Sequence, residues 1–198
     1  EREMKEFTDK ADFQIRFQPF QLYPDLKRGD AVGVDKYDFF KELYEMRGSD
    51  EESMKSRFKW LQGAWEKEGL TLADREKGHK WGNSFDAQRL ISFARKQGLE
   101  DQMIEAIYTA NHEQNQPLSN RAVLLECAAK AGVTGAEEML SSEQESSEVK
   151  QKIQQYKQMG IDAVPVLVIN NKYTIHGAPE AAELHGIISR IIEKDAEA

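Results

Sequence analysis

Residues 12–18, DFQIRFQ, alternate strictly: Phe13, Ile15 and Phe17 fall on one side, Gln14, Arg16 and Gln18 on the other. A period of two sends successive side chains to opposite faces, so the segment is expected as a strand that runs into a loop at PFQLYPDL. Ahead of it, Met4, Phe7 and Ala11 recur at helical spacing and read as the last turns of a helix. After it the rhythm becomes helical. Residues 35–47, DKYDFFKELYEMR, are rich in aromatics, and residues 50–68 carry Met54, Phe58, Leu61 and Trp65 on one stripe before Gly69.

Beyond the polar loop LADREKGHKWGN, shorter amphipathic helices follow. Residues 84–97 turn Phe85, Leu90, Ile91 and Ala94 inward and stop at Gly98; residues 100–114 group Met103, Ile104, Ile107 and Tyr108. A third helix starts near Ser119 as N-cap, carries AVLLECAAKA and ends at Gly132. A short helix at 135–141 and a longer one at 143–159, with Val149, Ile153, Tyr156 and Met159, lead to Gly160. The next stretch, GIDAVPVLVINNKYTIHGAPE at 160–180, breaks that rhythm. PVLVIN suits a strand buried on both faces, Asn170–Asn171 suits the left-handed backbone of a tight hairpin, and a second short run ends at His176-Gly177-Ala178. Residues 180–194 then aim Leu184, Ile187, Ile188, Ile191 and Ile192 inward as a final helix.

Composition narrows the function classes. Hydrophobic residues make up 39% of the 198 positions, enough for a sizeable core. The net charge is -8 and basic residues are scattered, Lys77 and Lys80 being the nearest to a cluster, which excludes a nucleic-acid partner. No apolar run approaches the ~20 residues that cross a bilayer, so membrane insertion is not expected, nor is a secretory leader. One cysteine, Cys127, excludes an internal disulfide and reads as a small buried hydrophobe. His79, His112, His176 and His185 lack metal-ligand spacing, and neither a Gly-rich phosphate loop nor a nucleophile elbow occurs. GSDEESMK reads as an acidic helix start. Trp60, Trp65 and Trp81 either pack in a core or line a cleft between subdomains.

Three separated stretches, RFQPFQLYPDL at 16–26, GNSFDAQRLISFARKQG at 82–98 and GIDAVPVLVINNKYTIHGA at 160–178, resemble the FrnE-like branch of the DsbA family. The resemblance spans residues 7–192. It departs at Gln88, where FrnE-like proteins often carry histidine. The related 2-hydroxychromene-2-carboxylate isomerases and kappa-class glutathione transferases tend to carry aromatic-Gly-x-Asp-Arg where this chain has His176-Gly177-Ala178-Pro179-Glu180.

The resemblance implies an α/β, thioredoxin-like fold with a large α-helical insertion. Residues 1–34 would be its first thioredoxin-like part, 35–145 the insertion and 146–198 the second part. The family's chemistry needs a Cys-x-x-Cys pair at a helix N-terminus, where unpaired N–H groups and the dipole favour the attacking thiolate and a resolving cysteine releases the mixed disulfide. A cis proline faces that pair. By resemblance Pro165 is this proline, with Ala163 and Val164 completing a substrate-facing loop; Pro19, Phe20, Asn83, His176 and Gly177 are expected at the edge of the cleft.

The pair itself is expected upstream of Glu1, in a helix the chain enters part-way, so no catalytic residue is assigned here. Three functions stay open: a thiol–disulfide oxidoreductase acting on protein or peptide thiols and disulfides; a redox-inactive thioredoxin-like module in a larger assembly; and a glutathione-dependent isomerase or transferase, disfavoured by His176-Gly177-Ala178. No cofactor is implied except glutathione in the third case. The cytoplasm or an organelle matrix such as the mitochondrial one is the expected compartment.

Overall fold

The computed structural model describes residues 3–28, 33–74 and 78–196. The chain divides into two compact units: a hairpin unit of Glu1–Leu22 with Gln155–Ala198, and a helical unit of Tyr23–Gln154.

The helical unit begins with β1 (Val34–Asp35) and α1 (Lys36–Met46), where Asp35 caps the helix by accepting from the Tyr37 and Asp38 backbone N–H groups. The acidic start expected at GSDEESMK is α2 (Glu51–Lys67), with Asp50 as N-cap accepting from Ser53 N at 2.8 Å. Its stripe is as spaced: Met54 is buried and Phe58, Leu61 and Trp65 are half-buried. β2 (Lys80–Trp81) pairs antiparallel with β1, Val34 opposite Trp81, inside a segment whose polarity suggests only loop.

Four helices then build the core: α3 (Phe85–Lys96), α4 (Glu100–Tyr108), α5 (Arg121–Ala131) and α6 (Ala136–Ser141). Leu90, Met103, Leu124 and Met139 meet there with alanines at 87, 94, 128 and 131, and each large side chain so buried contributes about 1.5–3 kcal/mol. Cys127 lies in this core, its Sγ directed at Ala106 O at 3.5 Å, and burial pushes its thiol pKa up.

Two expectations shift by local chemistry. The N-cap of α5 is Asn120, whose Oδ1 accepts from Ala122 N at 2.9 Å and Val123 N at 3.4 Å, and Ser119 is buried one residue earlier. Ser119 sits against Gly82, where any Cβ would overlap its Oγ, so a side chain cannot replace that glycine without moving the α5 entry. The helix expected over 100–114 leaves α geometry at Tyr108 and continues as a π turn, Thr109–Glu113. That turn places the His112 ring 5.1 Å from Trp65 and 5.5 Å from Tyr108, while its carbonyl accepts from Ala73 N. Of the three tryptophans, Trp60 corrects the core reading: it is 58% exposed with the Arg57 guanidinium over its ring.

α7 (Ser146–Gln158) packs Val149 and Ile153 on Phe85, and the boundary between the units falls within this helix. The joint before it is held by Arg89, 1% exposed. Its guanidinium donates to Gln144 O, Asp86 Oδ1, Met139 O and Ser142 O, tying the start of α3 to the end of α6 and the turn after it.

In the hairpin unit, β3 (Val166–Ile169) and β4 (Tyr173–His176) pair antiparallel, Val166 opposite His176 and Ile169 opposite Tyr173. Asn170 and Asn171 take φ of 52° and 53°, the left-handed turn their sequence suggests, and Lys172 N closes it on Ile169 O at 3.0 Å. α8 (Ala181–Ala196) turns Ile188 and Ile191 inward; its Asp195 accepts from Asn170, Lys172 and Tyr173 and fixes the hairpin tip to the helix end. A 3-10 turn at Glu3–Phe7 meets α8, with the Phe7 ring 4.6 Å from His185.

The strand expected at 12–18 does not form. The two sheets of the described residues contain only β1–β2 and β3–β4, and residues 11–20 are neither helix nor strand. Alternation sorts side chains between two faces, but a ladder also needs a neighbouring backbone. Without one, Phe13, Ile15 and Phe17 are 38%, 39% and 39% exposed. β3 likewise departs from burial on both faces, because Val168 is exposed.

Candidate functional site

The loop at 162–165 is placed by how α7 ends. Gly160 N donates to Lys157 O and Ile161 N to Tyr156 O, each at 3.0 Å, the double closure that stops a helix; Ile161 is then buried and anchors the exit. The next four residues, Asp162 to Pro165, are all exposed, and Val164 is 45% exposed. The Val164–Pro165 peptide bond is cis. Pro165 O then accepts from Gly177 N at 2.9 Å, so the far end of β4 holds the loop from the other side. Gly177 has φ of 87°, a backbone that favours glycine, and a side chain there strains the contact.

Ala163, Val164, Pro165, His176 and Gly177 therefore gather at one end of the hairpin, joined by the pairing of Val166 with His176 and by the Gly177–Pro165 bond. Pro19 is buried and Phe20 half-buried in the same unit. Asn83 belongs to the helical unit, where it is 4% exposed. Its amide donates to Pro24 O at 3.1 Å and Leu26 O at 2.7 Å, and its Oδ1 accepts from Phe85 N at 2.8 Å. That side chain fastens the 24–26 loop to the start of α3, with both ends of the amide engaged.

Chemically the loop offers an exposed backbone that bends at Ala163 and Val164 and small apolar side chains, and its residues bring no thiol. The one thiol, Cys127, is in the helical unit and is held neutral by burial, the reverse of the electropositive, partly open setting that makes a cysteine reactive. Among the described residues no group of three His, Cys, Asp or Glu side chains is placed to hold a metal ion.

The residues that sequence reasoning missed are structural ones, Asp195 in the hairpin unit and Arg89 and Asn120 in the helical unit. Asn120 had a readable signal, since an Asn two residues before an apolar run caps as well as the Ser preceding it. Asp86, which Arg89 grips, is pushed up by burial, but hydrogen bonds from Arg28 and Arg89 outweigh that and hold its pKa below the ordinary aspartate value.

The model of the DSBA-like thioredoxin domain matches residues 1–189. The chain belongs to that family. The DSBA-like domain also superposes on a crystal structure of a probable DsbA oxidoreductase from Streptomyces coelicolor with a TM-score of 0.82. That match covers 96% of this chain and 80% of the other at 21% identity, a likeness of fold. No curated protein matches the domain significantly. The fold is thus DsbA-like: thioredoxin-type strands with a helical insertion. No helix of the described residues is long and apolar enough to cross a membrane.

Proposed function

We propose that the chain is the substrate-facing part of a FrnE-like thiol–disulfide oxidoreductase, with Ala163, Val164 and Pro165 offering backbone groups to an extended protein or peptide thiol substrate. The observation that carries this reading is the exposed 162–165 loop held from behind by the Gly177–Pro165 hydrogen bond, in a chain of the DSBA-like family. The same reading divides the chain into thioredoxin-like parts at 1–34 and 146–198 and an insertion at 35–145. His176, Gly177, Pro19 and Phe20 border the loop in this view, and Asn83 supports the entry to α3. The attacking thiolate must come from a Cys-x-x-Cys pair outside residues 1–198, because Cys127 is buried and alone.

A second reading, a redox-inactive module that binds partners through the same loop, is favoured by one fact: the chain's single cysteine is a core residue. The natural full-length protein separates the two. Insulin reduction with dithiothreitol should show turnover, and Gly177→Val should lower kcat/KM on the order of tenfold or more by displacing the loop. No turnover from a full-length protein whose fold is intact by circular dichroism rejects the oxidoreductase reading.

A further inference from the structure

The hairpin unit carries a second built surface, on the outer edge of β4. Gly177 N donates to Pro165 O, which makes that opposed pair the hydrogen-bonded kind. Such pairs alternate in an antiparallel ladder, so Leu167–Ile175 and Ile169–Tyr173 exchange bonds while Thr174 and His176 turn their N–H and C=O groups away from β3. The sheet is two-stranded among the described residues, and no strand lies on that side.

Beside this edge runs a groove of about 340 Å³ between β4 and α8, floored by Tyr173, Ile175, Ile187 and Ile191 and bordered by Arg190 and Lys194. The two cations are four residues apart on one helix face, an arrangement that repels unless an anion lies between them. Among the described residues neither has a carboxylate partner within ion-pair distance. Of the two acids beside them in sequence, Asp195 is engaged at the hairpin tip with Asn170, Lys172 and Tyr173, and Glu193 is exposed and lies within ion-pair distance of neither cation. This positive rim stands on a chain of net charge -8.

We propose that the β4 edge and the α8 groove together bind an extended acidic peptide by strand addition. The peptide backbone pairs with Thr174 and His176, and the side chains on its α8-facing side fill the groove, apolar ones over Ile187 and Ile191 and carboxylates beside Arg190 and Lys194. A free anion would use the cations but not the strand edge. A second copy pairing through the same edge would be isologous and would bring the cations of both copies to one seam. The proposal uses different residues from the 163–165 loop and does not depend on the redox reading.

The test uses the natural protein and a short fluorescent peptide whose groove-facing positions alternate valine with glutamate, with threonine at the positions between, read by fluorescence anisotropy. Saturable binding that weakens as salt rises is expected, with the lysine counterpart about tenfold weaker or worse. The double variant Arg190→Glu/Lys194→Glu should reverse that preference. N-methylation of the peptide at alternate amides should abolish binding in one alternation and spare it in the other, as one-sided backbone pairing requires. The proposal is overturned by no saturable binding of the acidic peptide, by binding that the double variant leaves unchanged, or by indifference to which amides are methylated. Sedimentation showing a dimer that the double variant dissolves would assign the edge to a second copy and overturn it equally.

Discussion

The two units solve the burial problem to different degrees. The helical unit is continuous in sequence and closes a core in which Leu90, Met103 and Met139 reach full burial. The hairpin unit is drawn from two separated stretches, and among its described residues Phe7, Pro19, Ile161, Ile188 and Ile191 are the buried apolar ones, while Phe13, Ile15, Phe17 and Val168 face solvent. The closed core and the exposed 162–165 loop thereby fall in different units. The unit with the closed core is the helical one, and the unit that presents the 162–165 loop and the β4 edge has the thinner core.

The contrast is broken most directly by matched truncations. Leu90→Ala opens a cavity in the helical core and should lower the unfolding free energy in urea by about 3 kcal/mol or more, whereas Phe13→Ala should cost under about 1 kcal/mol. Equal costs would erase the distinction. Arg89→Leu leaves three backbone carbonyls and Asp86 without their shared donor; a loss of about 3 kcal/mol in the same measurement is expected. A smaller step, about 1 kcal/mol, is expected for Asn120→Ala through the lost cap of α5.

The smallest effect is acid sensitivity at the start of α2. Hydrogen bonds from Lys41, Tyr37 and Lys55 lower Glu51 from 4.5 to about 2. A folded pKa below the unfolded one adds stability that is present above pH 4.5 and is lost as pH falls toward 2. Urea midpoints followed over that window should decline less steeply in Glu51→Gln. An unchanged slope would show that the surface network is fully screened.

How far the sequence speaks depends on what each element needs from elsewhere. The stripe Met54, Phe58, Leu61 and Trp65 and the Asn170–Asn171 turn were legible because spacing or local backbone chemistry settles them. The DFQIRFQ alternation was misleading because it names two faces and says nothing of a hydrogen-bonding neighbour. β1 and β2 are two residues each in polar surroundings, too short to leave a period. The partners of Arg89 lie some fifty residues away at the end of α6, so its role was invisible in the motif that contains it. The 163–165 loop was marked by family likeness rather than by pattern. Asn83, drawn from the same likeness, proved to have its amide engaged within its own unit.

The split of the hairpin unit between two separated stretches has a consequence for the newly made chain. During synthesis residues 23–154 emerge as one block and can close their helical core at once, as domains generally do. Residues 1–22 must wait for β3, β4 and α8, across an intervening stretch whose closure carries its own entropy. Until α8 leaves the ribosome, Phe7 has no His185 to meet, and the segment with Phe13, Ile15 and Phe17 stays unpacked.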